Sequence, residues 1–173
     1  MPTVPLEVRP ALVDDLPAVA AVRVASWRVG YAGLVPDSEL AAIGEQDRLD
    51  QWVLRAATST EASTLVALRD GEVIGFAAYG AERSDLAAAV AGRGEVYALY
   101  VHPDHWGVGA GHALMTASRS ALRARGFGAV SIWVLEGNER GIGFYVREGF
   151  TPTGDVTESR IDALPEARYA RPV

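Results

Sequence analysis

Apolar positions along the chain switch between a period near 3.6 and a period of two, and the switches mark out alternating helices and strands. Residues 6–10 alternate as a short first strand. Leu16, Val19, Ala20, Val24 and Trp27 then recur at helical spacing, with Asp14 as the expected N-cap and Pro17 in the first turn, so a helix is predicted to about residue 29. Gly30, Gly33 and Pro36 break that pattern before Asp37-Ser38-Glu39-Leu40 opens a short second helix. Leu49, Trp52, Val53 and Ala56 carry the spacing of a third amphipathic helix. Two β-rich runs, 64–68 and 72–79, flank Arg69-Asp70-Gly71, and Asp-Gly between such runs predicts a hairpin.

Residues 80–94 are polar, alanine-rich and aperiodic, apart from a turn of helix expected at 85–91, and read as a mobile connection. A central strand follows at 95–101, then a helix at about 109–125 that Gly126 ends. Residues 129–135 are almost wholly apolar, as in a strand covered on both faces. Asn138 caps a helix to about residue 148, in which Gly141 and Gly143 each cost roughly 1 kcal/mol relative to alanine. Two last strands are expected at 156–161 and 166–173, separated by Leu164-Pro165. No repeat, linker or low-complexity tract interrupts the pattern, so the expectation is a single domain over residues 1–173.

Composition narrows the function. The 173 residues are 49% apolar and 22% charged, ordinary for a globular protein with a sizeable core. No apolar run is long enough to span a bilayer, and the first five residues lack a cationic start and an apolar core; no membrane partner is expected. Cysteine is absent, which removes disulfides, thiolate metal sites and a cysteine nucleophile and fits a cytoplasmic protein. The net charge of −6 argues against nucleic-acid binding and suits a cationic, amine-bearing partner.

The chemistry concentrates between residues 95 and 112. There a strand turns at Pro103, crosses Trp106-Gly107-Val108-Gly109-Ala110-Gly111-His112 and enters a helix. The first N–H groups of a helix have no intrahelical partner and the helix dipole favours an anion beside them, so the loop reads as a phosphate cradle. Glycine at 107, 109 and 111 lets a phosphate approach the main chain and permits positive φ. A Walker A loop fails because Gly111 is followed by His112-Ala113, and the GxGxxG dinucleotide fingerprint fails at His112 and Leu114.

What fits is Gln/Arg-x-x-Gly-x-Gly/Ala after a strand. With Leu135-x-x-Asn138 and Phe144-Tyr145-x-x-x-Gly149-Phe150 downstream, almost the whole chain resembles the GCN5-related N-acetyltransferase (GNAT) family. The resemblance implies an α/β acyl-CoA N-acyltransferase fold: a twisted, mostly antiparallel sheet of about seven strands, two of them parallel and splayed, flanked by four or five helices. It implies acetyl-CoA as cosubstrate, held by the main chain of Leu99, Tyr100 and Val101, by the N–H groups from Gly107 to His112, including Val108, Gly109, Ala110 and Gly111, and by Asn138, whose other role is an N-cap. Homodimers are common in similar enzymes. One departure stands out: Trp106 opens the loop where the family has Arg or Gln, which predicts weaker coenzyme affinity, with Arg140 or Arg147 as replacement cations.

Acetyl transfer needs a neutral amine, and a lysine-like amine leaves roughly one molecule in a few thousand uncharged at pH 7. Glu95 is the candidate base, directly or through water, and Tyr145 matches the family's general acid for the departing thiolate. An N–H near Tyr100 or Val101 would hold the oxyanion. Trp27, Tyr31, Tyr79 and the 80–94 connection are the expected acceptor walls, with an acidic or aromatic mouth near Tyr31. His102, His105 and His112 cluster without a supporting cysteine or an organised set of carboxylates, so no metal is expected. Two other readings stay open: a coenzyme A-binding regulatory module and, less compatible with the missing lysine, a nucleotide-hydrolysing protein. The acceptor is a small-molecule or peptide amine that the residues do not identify.

Overall fold

The computed structural model describes residues 5–43, 62–83, 92–159 and 163–173. A seven-stranded sheet runs in the order β1 (Glu7–Pro10), β2 (Ala62–Arg69), β3 (Glu72–Ala81), β4 (Arg93–Val101), β5 (Ala129–Leu135), β7 (Pro165–Pro172), β6 (Thr151–Glu158). Neighbouring strands are antiparallel except β4 and β5. Helices α1 (Leu16–Gly30) and α2 (Asp37–Ala42) pack on one face, and α3 (Ala110–Ala124) and α4 (Glu139–Arg147) on the other. This is the expected mixed fold. The predicted helix around Leu49 and Trp52, and the turn at 85–91, lie outside the described residues.

Sequence pattern accounts for each layer. On α3, Leu114, Met115, Ser118 and Leu122 share one fully buried stripe, and burying each of the large apolar chains contributes about 2 kcal/mol. On α1, Val19 and Val22 meet Val66, Leu68 and Phe76, while Trp27 reaches Leu40 of α2 and Leu135 of β5. Asp70 and Gly71 both take positive φ (52° and 81°), the tight turn that the hairpin signal predicts.

Three boundaries differ from expectation. Asp14 does not cap α1: residues Val13–Asp15 form a 3-10 turn, and Asp15 instead accepts from Leu12 N–H at 2.7 Å and from Arg9 at 2.6 and 3.0 Å, tying β1 to the helix. β4 starts at Arg93, so Glu95 is inside a strand rather than at its exposed end. β6 starts at Thr151, five residues early, because an edge strand tolerates Pro152 and exposed polar positions that look like a turn in sequence.

Candidate active site

β4 and β5 share only three register pairs, Arg93 with Ala129, Gly94 with Val130 and Glu95 with Ser131, and then run on unpaired. The reason lies on the other edge of β4. Ala98 faces Ala78 and Val96 faces Tyr79, which leaves Tyr97 unopposed as a bulge, and a bulge bends its strand. The gap opens into a cavity of about 890 Å³ that reaches from the glycine loop to α1 and β7.

At one end lies the loop. Gly107 and Gly109 take φ of 84° and 89°, which turn their N–H groups as a nest requires, and Gly109 immediately precedes α3. Gly111 works differently from the expectation: it is inside α3, and a Cβ there would sit 3.2 Å from the Phe144 ring, so its role is the close approach of α3 to α4. Gly107, Gly109, Ala110, Gly111 and His112 line the cavity, whereas Val108 does not. His112 pairs with Glu148 at 2.9 Å.

Trp106 is the loop's anchor. Its indole Nε1 donates to Val101 O at 2.8 Å, and Ser26 Oγ donates to the same oxygen at 2.9 Å, so both lone pairs of that carbonyl are used. Arg140, from the first turn of α4, stacks on the Trp106 ring with its guanidinium carbon 4.0 Å from the ring centroid. A cation therefore stands at the loop although the loop's own sequence lacks one. Arg147 also lines the cavity.

Strand chemistry corrects the main-chain expectation. His102 N–H donates to Ile74 O, which fixes the alternation of the β3–β4 ladder and turns the N–H and C=O of Tyr100 toward Phe76 of β3. Only Leu99 and Val101 present main-chain groups to the open edge, and Val101 O is already taken. An extended ligand along β4 has the N–H groups of Leu99 and Val101 and the carbonyl of Leu99. The side chain of Tyr100 goes to the α1 face, packing on Phe76 at 5.6 Å and Trp27 at 6.2 Å.

Asn138 caps α4, its Oδ1 accepting from Gly141 N–H at 3.0 Å, and it lines the cavity as well. A Cβ on Gly141 would lie 2.6 Å from Asn138 Nδ2, so that glycine makes room for the cap. Tyr145, one turn on, is buried between Phe144 and Phe150 with its side chain bordering the cavity. Burial, helped by Tyr100 nearby, raises its pKa well above the ordinary phenol value. Tyr145 is thus a proton or hydrogen-bond donor at neutral pH, never a base.

Glu95 is almost fully buried in the wall of the gap. It accepts from Arg83 N–H at 2.8 Å, and the Arg83 guanidinium, stacked 3.7 Å over the Tyr97 ring, reaches it at 3.4 Å. Burial raises its pKa and the Arg83 contacts only partly offset this, so Glu95 holds a proton more readily than an ordinary carboxylate. Behind it, Glu82 accepts from Arg93 at 2.7 Å and Ser131 at 2.9 Å, and Arg168, fully buried, lies 3.5 Å from Glu82 and 3.4 Å from Asp155 under the Trp133 ring. Among the described residues no group of three His, Asp or Glu could hold a metal.

At the α1 end of the cavity Trp27 and Tyr31, the expected acceptor walls, meet edge to face at 4.8 Å and line it. Tyr79 does not join them. It is buried on the opposite face among Leu65, Val96 and Leu122, with Arg125 over its ring at 5.2 Å, because the regular alternation of β3 puts Tyr79 on the side of Ala77, away from Phe76. Glu166 and Trp133 line the cavity, and sequence reasoning singled out neither; Arg83, which also lines it, falls in the 80–94 connection expected to help build the acceptor pocket.

Residues 25–150 match the acetyltransferase (GNAT) family. The chain belongs to that family. It is 32% identical over 131 residues to the N-acetyltransferase YuaI of Bacillus subtilis, covering 76% of this chain and 72% of that one. It is 24% identical over 149 residues to the spermidine N(1)-acetyltransferase of Thermoplasma acidophilum, covering 84% and 88%. The fold matches the crystal structure of a PaiA N-acetyltransferase from the same archaeon in complex with coenzyme A, with a TM-score of 0.76, 20% identity and 98% and 99% coverage. This GNAT protein is therefore an acyl-CoA-dependent N-acetyltransferase, and acetyl-CoA is the family's donor. No helix among its described residues is long and apolar enough to cross a membrane.

Proposed function

We propose that the acetyltransferase acts as one domain and moves the acetyl group of acetyl-CoA directly to a primary amine of a small molecule, both substrates being bound together. The glycine loop fits a diphosphate: the N–H groups of Gly107 to His112 and the α3 N-terminus supply donors, and Arg140 on Trp106 supplies charge. The free main-chain groups of Leu99 and Val101 suit the amides of the pantetheine arm. The Val101 N–H is the better-placed candidate for the oxyanion, since the N–H of Tyr100 is engaged by β3.

Glu95 takes the proton lost by the attacking amine, directly or through water, as the C–N bond forms. The C–S bond then breaks, and Tyr145 donates to the leaving sulfur. Burial keeps that phenol protonated, so its hydrogen bond is available when the negative charge arrives. The observation that carries this reading is the meeting, in one gap between β4 and β5, of the anion cradle, Glu95 and Tyr145. The relative named a spermidine acetyltransferase supports a small amine as acceptor.

A non-catalytic coenzyme A module would be favoured by Trp106 and by the helix glycines Gly141 and Gly143, and two of these three residues have other physical reasons. Trp106 anchors the loop and seats Arg140, and Gly141 clears the Asn138 cap. The test is thiol release from acetyl-CoA across a panel of amines, with Tyr145→Phe as control. Binding of coenzyme A without thiol release on every amine would return the protein to the regulatory reading, and a variant equal to wild type would remove Tyr145 from the chemistry.

A further inference from the structure

Among the described residues, one half-buried carboxylate of the cavity has no hydrogen-bond or ion-pair partner; Glu158, the other unpaired one in the lining, is exposed. Glu166 sits at the start of β7, opposite Leu135 of β5 and Thr157 of β6, and lines the cavity. Leu135 packs with Trp27, Leu40 and Tyr31, so the alternation of the sheet puts Glu166 on the α1 face as well. Its charge acts on both Tyr31 and Tyr100.

The other carboxylates buried in this part of the fold are answered: Asp15 by Arg9, Glu82 by Arg93 and Arg168, Glu95 by Arg83. Glu166 makes no side-chain hydrogen bond or ion pair with any described residue. Arg23 stacks over the Trp27 ring at 5.1 Å rather than pairing with it. Burial is the one influence on its ionisation, and it opposes the charge. A half-buried carboxylate with no cation costs stability, and in a substrate cavity the missing cation is one the substrate brings.

The register supplies a distance. Ser131 faces Glu95 and Leu135 faces Glu166 across opposite edges of β5, so the two backbone positions are offset by four residues, about 13 Å, along the strand and by two strand spacings, about 10 Å, across it, with both side chains turned into the cavity between them. We propose that Glu166 selects acceptors with a second cationic centre, its carboxylate and the neighbouring Tyr31 and Tyr100 rings holding the distal ammonium while the near amine faces Glu95. Aromatic faces beside a carboxylate suit an organic cation, an alkylammonium or a guanidinium, better than a metal ion. Glu166 is then a specificity residue that touches no reacting atom. This inference rests on the acetyl-transfer reading in one respect only, that Glu95 marks the reacting amine.

The test compares 1,3-diaminopropane, putrescine and cadaverine with propylamine and butylamine, using wild type and Glu166→Gln. Wild type should favour the best diamine over its monoamine at least tenfold in kcat/KM, and Glu166→Gln should collapse that ratio at least tenfold, through KM rather than kcat. Equal use of diamines and monoamines by wild type, or a ratio that survives the substitution, would overturn the assignment. If wild type releases no thiol with any amine, the transfer reading fails and calorimetry of the coenzyme A-loaded protein decides about Glu166. There, putrescine binding tenfold tighter than butylamine and weakened by Glu166→Gln supports the site, and equal binding rejects it. Glu166→Lys gives a second variant with the opposite charge: putrescine should lose its advantage over γ-aminobutyrate, and retention of that advantage would also reject the site.

Discussion

The glycine-loop end of the cavity is assembled from nearly consecutive residues, Trp106 to His112, whereas its other end joins Trp27 and Tyr31 of α1 to Glu95 of β4 and Glu166 of β7. The first relies on main-chain N–H groups, a helix end and positive φ, which a short stretch of sequence specifies by itself. The second relies on side chains that meet only because β5 lies between β4 and β7. A donor common to a whole family can be held by local backbone geometry, while the acceptor must be read by side chains free to differ from one member to the next.

The largest expected effect falls where the two ends meet. Tyr145→Phe should lower kcat by about 10²–10³, the usual range for losing a proton donor, with an unchanged circular-dichroism spectrum and melting temperature within a few degrees. Equal turnover would move the acid role elsewhere.

Glu95→Gln comes next, with a loss of about 10–10² in kcat/KM at pH 8. Because burial raises the pKa of Glu95, its base form disappears as pH falls through a value above the ordinary 4.5, so wild-type activity should fall with acid earlier than a normal carboxylate allows. The ratio of wild type to variant across pH 5–8 isolates that limb. Stability runs the opposite way from activity: a carboxyl protonated more readily in the fold favours the native state at low pH, and this advantage over the unfolded chain is lost as pH rises through the raised pKa. A ratio flat from pH 5 to 8 would remove Glu95 as the base.

At the donor end the effects should be smaller, because several main-chain groups share the load. Arg140→Ala should weaken coenzyme A binding about tenfold, the cost of one charge-assisted contact, and Trp106→Phe, which keeps the ring but loses the bond to Val101 O, about threefold. Calorimetry at fixed ionic strength reads both, and an inert Arg140 would mean the cradle works without added charge. The smallest effect separates two glycines. Gly143→Ala should stabilise α4 by about 1 kcal/mol, since the nearest atom, Arg147 Nη1, is 3.4 Å away on a flexible chain. Gly141→Ala should gain nothing, its Cβ displacing the Asn138 cap. Urea melts that show equal gains would contradict the cap geometry.

The same contrast explains what could be read from the residues alone. The alternating periods gave the strand and helix order, and the strand–loop–helix with Asn138 and Tyr145 pointed to the end of the cavity proposed to hold the donor, because each depends on neighbours within about a dozen residues. Three features needed the assembled sheet. The Tyr97 bulge, invisible in a run of β-formers, bends β4 and opens the gap between β4 and β5. The Trp106 bond to Val101 O turns a departure from the family pattern into an anchor. Glu166 and Arg168 alternate with Ala167 and Tyr169 on β7, which in sequence looks like a solvent-facing edge, yet Arg168 is fully buried and Glu166 borders the cavity.

Amide hydrogen exchange read by NMR, with and without coenzyme A, bears most directly on the claim that main-chain donors at the splay of β4 and β5 hold the acyl donor. The N–H groups of Leu99, Val101 and Gly107 to His112 should slow together on binding, while that of Tyr100, already bonded to β3, changes little. Coenzyme A that binds without protecting these amides, or protects a separate surface, would contradict the account.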